Sequence, residues 1–575
     1  MVKENIFFIA IVLIASFLIF FRLGMADSLT DGSHYSLRAL GYTDYIVPRL
    51  QSTPLEWFEK IPSWSRLSFH DAPPLVFIVE NVFFKIFGEN MYAMRLPFAL
   101  AGLGTLFITY CITKKLFDKK TALISMAALA FSTFFVWSSR TAYLEGVEVF
   151  FIMLAAYLFL LSLCDDNFFI WFGIAMGLAV LSKYTAIFFL GAAILYLAIK
   201  DRKHFFNKKF FIGIILFIAV ISPVIYYNSM VLVSRGHLDA QLSHLFPSMF
   251  SAAQRDWPGL YRENSGGFHP LDNFNNIWSA LRTGFSLPFY AFFIITTIYI
   301  FITATLPKKG DNYFFLSITI LSAILMFLVI PPTARYLPIL VPFLAIGAGA
   351  FLAGAGEVFK KKKAEYIFIA LVAALFGIEI IFNGITNLVA PAGNSNSFWY
   401  SNMGEKNLGY NQLEAFLKTT WEREPFYTKN VKTIRYVHDV RLDWYSLKGY
   451  NFYLFDYDLD WFARVWYFNR QFNYHSVPFL GDSEVISELA RSKVPREAFI
   501  DFFRQLGIRN LYYISGASDA VHSPGYASKT AEQELSRYVQ ERFRSFMADG
   551  GDGEITPIAN ARGDKAFEVF RIKLR

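Results

Sequence analysis

Cysteine is scarce in this chain, with only Cys111 and Cys164 among 575 residues. Both lie in or at the end of apolar segments. The large polar region near the C-terminus has none, so no disulfide framework can be read there. Charge is scarce too: 17% of residues are charged against 55% hydrophobic. That balance excludes a soluble enzyme of this length and fits a polytopic membrane protein. There is no internal repeat and no low-complexity linker. Aromatic residues are plentiful, with 64 Phe and 31 Tyr, as lipid contact and interfacial belts require. The net charge of +8 does not argue for nucleic acid. Much of the excess sits in short clusters between apolar spans, where it is an orientation signal.

A helix needs about 20 apolar residues to cross a bilayer. Spans are expected near 6–22, 91–113, 120–139, 146–163, 167–182, 184–199, 210–227, 284–306, 312–330, 335–356 and 364–386, about 11 in all. The first resembles a signal peptide weakly, with Lys3 before it and "GMA" after it. It reads better as a retained anchor, because the pattern that follows needs a first crossing. With alternating spans, Lys114–Lys120, Lys200–Lys209, Lys308–Lys309 and Lys360–Lys363 all fall on one face, which is the cytoplasm by the positive-inside rule. The segment 72–90 would break this pattern if it crossed. It is short, starts at Pro73-Pro74 and carries Glu80 and Lys85, so an interfacial or re-entrant helix is expected.

The expected architecture is therefore a mainly α polytopic domain over 1–386, with outer loops at 27–90 and 228–283. An extracytoplasmic α/β domain follows over 387–575. The N-terminus would be cytoplasmic. In the C-terminal domain, "NQLEAFLKTTWERE" and "AEQELSRYVQERFRSF" have helical spacing. "IRNLYYIS" and "KAFEVFRIKL" read as strands, the second as the last arm of a hairpin. The aromatic run "YNFYLFDYDLDWFARVWYFNRQF" could pack on the membrane, stack on sugars or form plain core.

On the outer face this topology gathers Asp31, His70, Asp71, Arg140, Glu145, Lys183, Arg335 and Tyr336. None of them was used to set the orientation. Ionisable residues at membrane level are functional candidates by default. Each also has a plainer reading. Asp31 could cap the helix "GSHYSLRAL", and His70 could cap a turn. Arg140 and Glu145 could be a structural ion pair. Lys183 could snorkel, and Arg335 could meet lipid headgroups. Together they suit group transfer from a phosphate-bearing lipid. A carboxylate would act as base on an incoming hydroxyl, and cations would hold the leaving phosphate.

The motifs resemble a known superfamily. "LTDGSHYSLRA" is similar to the acidic first-loop motif of the GT-C glycosyltransferases. "HDAPPLVFIVENVFFKIFGENMYAMRLPFALAG" resembles their PPL block, and "SSRTAYLEGVEVFFIML" the stretch bearing a second acidic residue. "GLAVLSKYTAIFF" and "ARYLPILVPFLA" resemble later segments. The branch is that of dolichyl-phosphate-mannose–protein mannosyltransferases and bacterial aminoarabinose transferases, and the likeness covers about residues 1–350.

That resemblance implies an inverting transfer of a hexosyl or pentosyl sugar from a polyprenyl-phosphate donor to a protein, lipid or envelope-glycan acceptor. It implies Asp31 as base and Glu145 as second carboxylate. It implies a lipid-phosphate and substrate site drawn from His70, Asp71, Arg140, Lys183, Arg335 and Tyr336. The sequence departs from the pattern at Gly32, at Glu145 in place of Asp, and at Asp71. These departures leave open a divalent cation held by Asp31 and Glu145. Two other readings stand beside this one: a transporter or flippase of lipid-linked sugar, and an envelope assembly factor.

Overall fold

The computed structural model describes residues 2–40, 72–243, 245–256, 270–306, 310–392, 406–421, 448–475, 477–491, 493–523 and 529–574. His70, Asp71, Lys308, Lys309 and the Gly266-Gly267 pair lie outside the described residues. The chain forms two compact units. One comprises Met1–Leu23, Ile46–Val389 and Asn396–Gly404; the other comprises Gly24–Tyr45, Ala390–Ser395 and Glu405–Arg575.

The first unit is helical. Among the described residues, seven helices are long and apolar enough to cross a membrane: Met91–Leu116, Leu144–Ser162, Lys208–Arg235, Leu287–Ala304, Gly310–Val329, Val341–Lys361 and Glu365–Val389. Lys119–Phe131 and Thr133–Arg140 form an eighth apolar stretch, bent by 62°. Three shorter apolar helices are Glu4–Phe20, Phe168–Ser182 and Tyr184–Lys200. The segment after Pro73-Pro74 is a helix of 13 residues, Leu75–Phe87, closed by Gly88 at φ 78°. At about 1.5 Å per residue it is too short to cross a bilayer.

Local chemistry sets these boundaries. The Asn90 side chain accepts the Ala93 N–H at 2.9 Å, and Asp118 accepts the Thr121 N–H at 2.8 Å, each starting a helix. Phe168–Ser182 and Lys208–Arg235 cross at glycines. A Cβ on Gly173 would strike the backbone carbonyl of Gly213, so only small residues permit this approach.

The lysine clusters share one end of the helical unit. Lys119 pairs with Glu4 at 3.0 Å, and Lys120 with Glu357 at 3.7 Å. Lys200 pairs with Asp311 at 2.6 Å, and Lys115 donates to the Cys164 sulfur at 3.3 Å. Asn312 also donates to the Leu116 carbonyl, and together these contacts tie the start of the first helix to the helix ends near 116, 164, 200 and 311 and to Glu357. Leu144–Ser162 runs from this end to the opposite one.

The bend at Ser132 is held from the last apolar helix. Glu379 is fully buried; it accepts the Thr133 N–H at 2.9 Å and the Ser286 N–H at 3.0 Å. One carboxylate therefore caps Thr133–Arg140 and stands at the start of Leu287–Ala304. One and two turns on, Asn383 donates to the Phe131 carbonyl at 3.0 Å and Asn387 to the Thr133 carbonyl at 3.1 Å.

The second unit is built on a five-stranded sheet. Its strands are β1 (Asn451–Phe455), β2 (Phe479–Gly481), β3 (Asn510–Gly516), β4 (Gly553–Ala559) and β5 (Lys565–Lys573), in the order β2-β1-β3-β5-β4. β1 is parallel to β2 and β3; β5 is antiparallel to β3 and β4. Phe452, Leu511, Tyr513 and Phe570 face the helices Asp482–Arg491, Phe499–Gln505 and Thr530–Ala548. The aromatic run is mostly core: Phe452, Tyr453, Phe455, Trp466, Tyr467 and Phe468 are buried. Tyr453 stacks on Tyr512 at 4.9 Å between ring centroids and on Phe479 at 4.8 Å.

The division into units differs from the sequence boundary at 386–387. Residues 24–45 group with the sheet rather than with the helices, and Asp27 is the reason. Fully buried, it accepts the backbone N–H groups of Leu408, Gly409, Tyr410 and Asn411 at 2.6, 3.0, 3.2 and 2.9 Å. These are the orphan donors at the start of the helix Tyr410–Trp421. The helix Asp31–Leu40 follows, with the Leu37 carbonyl accepting from the Tyr474 hydroxyl at 3.1 Å.

Candidate active site

Glu145 and Glu148 lie on the first turns of Leu144–Ser162, three residues apart and therefore on one face. Both are buried. Lys183 occupies the break between Phe168–Ser182 and the short turn Tyr184–Ala186, in extended backbone at φ −163° and ψ 143°. The break aims its ammonium at Glu145 Oε1, 2.5 Å away. The same ammonium stands 3.5 Å from the centre of the Tyr336 ring. Arg335 donates to the Tyr336 hydroxyl at 3.3 Å and lies 5.7 Å from the Tyr143 ring.

Lys183 therefore neither snorkels nor stands alone. It is a buried cation between a carboxylate and an aromatic face, with a second cation one residue from that aromatic. The cluster lies at the end of the helical unit opposite the lysine-rich end. It can offer positive charge to an oxyanion while Glu145 fixes where that charge sits.

The other expected residues are placed as follows. Arg140 donates to the carbonyls of Leu18 and Ile19 at 2.8 Å each and of Arg22 at 3.4 Å. Its guanidinium thus covers the C-terminal end of the first helix, where a cation complements the dipole. Glu145 pairs with Lys183 and not with Arg140. Asp31 is the first residue of its helix and belongs to the sheet unit. Among the described residues, no group of three or more His, Cys, Asp or Glu side chains is assembled to hold a metal ion. Glu145, expected with Asp31 as a ligand of a divalent cation, is engaged by Lys183 through its Oε1.

Sequence reasoning missed four residues. Glu148 accepts from the Thr185 hydroxyl at 2.5 Å, and Tyr184 donates to Asp239 Oδ2 at 2.5 Å. The Glu145/Glu148 spacing was a signal for the first, and adjacency to Lys183 for Tyr184 and Thr185. Nothing in the local sequence marks Asp239, which lies beyond Gly236 in the connection after Lys208–Arg235.

Residues 71–227 match the family model described as dolichyl-phosphate-mannose-protein mannosyltransferase. A protein of Aquifex aeolicus, named only as uncharacterized, is 33% identical over 151 residues, 25% of this chain and 30% of that protein. A second from the same organism is 31% identical over 222 residues, 38% of this chain and 47% of its own length. The chain thus spans less than half the length of these relatives. ArnT from Cupriavidus metallidurans in the apo state has a TM-score of 0.54 at 13% identity, covering 99% of this chain and 98% of that one. The same ArnT bound to undecaprenyl phosphate has a TM-score of 0.52 at 14% identity, covering 98% and 97%. At such identities what is shared is the fold. Helices and site together define a polytopic integral membrane protein with a buried ionic cluster at one set of helix ends. Residues 71–227 thus carry the likeness to the mannosyltransferase family model, and the chain shares its fold with ArnT.

Proposed function

We propose that this chain is a glycosyltransferase that moves a sugar from a polyprenyl-phosphate carrier to an acceptor hydroxyl, with inversion. The observation that carries the reading is the Lys183–Glu145–Tyr336–Arg335 cluster, away from the lysine-rich helix ends. The family model over 71–227 and the fold shared with ArnT support it.

In this reaction the acceptor oxygen attacks the anomeric carbon as the bond from that carbon to the phosphate oxygen breaks. The polyprenyl phosphate leaves with the electron pair. Asp31 takes the acceptor proton as general base. Lys183 and Arg335 neutralise the charge that grows on the leaving phosphate, with His70 and Asp71 as further donor-binding candidates. Tyr336 spaces the two cations, and Glu145 orients the lysine. All 11 or so apolar helices cross the membrane in this reading. The N-terminus and the lysine clusters face the cytoplasm, and the site and sheet unit face outward. The acceptor is a protein, lipid or envelope glycan.

The test is sugar transfer from lipid-linked donors by the purified full chain. Asp31→Asn is expected to lower turnover about 10²–10⁴-fold while the protein stays folded. A folded Asp31→Asn protein with full turnover removes Asp31 as the base. Transbilayer movement of lipid-linked sugar without a covalent product, in reconstituted wild type, replaces the reading with a flippase.

A further inference from the structure

Three consecutive residues each hold a different carboxylate at the same short distance. Lys183 meets Glu145 at 2.5 Å, Tyr184 meets Asp239 at 2.5 Å, and Thr185 meets Glu148 at 2.5 Å. Two of these carboxylates come from one helix face and the third from the connection after Lys208–Arg235. All three are buried.

Asp239 is saturated. Its Oδ2 takes Tyr184 and the Asn228 amide at 2.9 Å, and its Oδ1 takes the N–H groups of Gln241 and Leu242 at 3.1 and 2.9 Å. Asn228 returns the bond, accepting the Asp239 N–H at 2.8 Å. Glu148 accepts one hydrogen bond, from Thr185, and lies within electrostatic reach of Lys183; among the described residues its Oε2 is buried with no hydrogen-bond partner. Neither carboxylate is needed to pair Lys183, which Glu145 already holds. What they share is the turn on which Lys183 is mounted.

We propose that Glu148 and Asp239 are positioning residues for Lys183. Acting through Thr185 and Tyr184, they clamp the turn from two sides so that the ammonium is presented to the donor's phosphate at one place. This rests on the assignment of Lys183 to phosphate binding made above. A lysine carries a point charge on a flexible stem, so its value to a phosphate depends on where its backbone is fixed. The turn has only three residues, Tyr184–Ala186, and no side-chain cap of its own. Side-chain clamps from neighbouring segments take that role.

The experiment measures binding of undecaprenyl phosphate to the detergent-solubilised full chain, beside thermal unfolding and donor kinetics. Thr185→Val and Tyr184→Phe are each expected to weaken binding roughly ten-fold, the scale of one lost hydrogen bond to a charged group. Thr185→Ser, which keeps the hydroxyl, should bind as wild type does. In turnover the KM for donor should rise with the acceptor KM unchanged. Tyr184→Phe removes one oxygen and keeps the ring, so it decides the matter if Thr185→Val unfolds. Wild-type binding in folded Thr185→Val and Tyr184→Phe overturns the clamp, as does equal weakening in Thr185→Ser and Thr185→Val. Unchanged binding in Lys183→Met overturns the phosphate assignment beneath it, an outcome distinct from the other two.

Discussion

Lys183 and Glu145 meet at 2.5 Å with only 4% and 3% of their side chains exposed. A buried pair of this kind is costly to break and much less costly to replace. Lys183→Met alone leaves an uncompensated carboxylate and should destabilise the helical unit by about 3–5 kcal/mol. The double variant Lys183→Met/Glu145→Leu should recover most of that loss without recovering sugar transfer. Thermal unfolding in detergent, read beside turnover, separates the two effects.

Glu379 caps two helix starts with one carboxylate. Glu379→Leu leaves the Thr133 and Ser286 N–H groups buried without acceptors, at about 1–3 kcal/mol each. Glu379→Gln retains one acceptor oxygen and should cost less. The order wild type, Gln, Leu in unfolding midpoint checks this; equal midpoints for Gln and Leu would contradict the double cap.

The sheet unit should respond to pH through two buried carboxyl groups. Burial raises Asp27 from 3.8 to about 6, despite four N–H groups that favour its charged form. Burial, and then the neighbouring Asp456 charge, raises Asp482 from 3.8 to about 7. Both folded values lie above the unfolded ones, so the stability they contribute is complete below pH 3.8 and lost as pH rises through about 6 and about 7. Asp482→Asn can still accept from Tyr457 and Ser483 and can offer its amide to Tyr513. It should remove the Asp482 share of the decline, leaving that of Asp27, so that the midpoint stops falling near pH 6 instead of near pH 7.

The Asp27 clasp joins two distant stretches of chain. Asp27→Ala leaves four N–H donors of the Tyr410–Trp421 start without their acceptor. From the cost of losing a helix cap, a loss of about 0.5–2 kcal/mol is expected. Hydrogen exchange at Leu408–Asn411 should accelerate selectively; unchanged exchange there would show the clasp to be dispensable.

The proposed orientation has its own check. In a background lacking Cys111 and Cys164, cysteines at Lys119 and Lys361 should be shielded from an impermeant reagent in intact cells. One at Asn276 should react. The reverse pattern would invert the outer-face assignment.

Much of the helical unit was legible because apolar runs and lysine clusters are local features of sequence. The contacts of Lys115, Lys119, Lys120 and Lys200 gather at one end of the helices, as their placement implied. Glu145, Lys183, Arg335 and Tyr336 were legible through their cost at membrane level, and the structure brings them together. The contacts of Arg140 with the carbonyls of Leu18, Ile19 and Arg22 were not legible, because backbone acceptors leave no mark in sequence. Asp239 and Glu379 were missed for a related reason. A carboxylate whose partners are backbone N–H groups or a distant hydroxyl has no charged neighbour in the sequence to announce it. In the sheet unit, the helical runs that became Tyr410–Trp421 and Thr530–Ala548 and the hairpin arm β5 followed from periodicity. The enlistment of residues 24–45 did not, because it depends on contacts across hundreds of positions.

That last contact bears on how the chain is made. Asp27 leaves the ribosome early, but the first N–H it holds belongs to Leu408, 381 positions later. During synthesis the stretch 24–40 is therefore without its partners while the apolar helices are inserted one after another. The sheet unit is closed by its oldest segment, and a truncation beginning at residue 387 would release an incomplete domain.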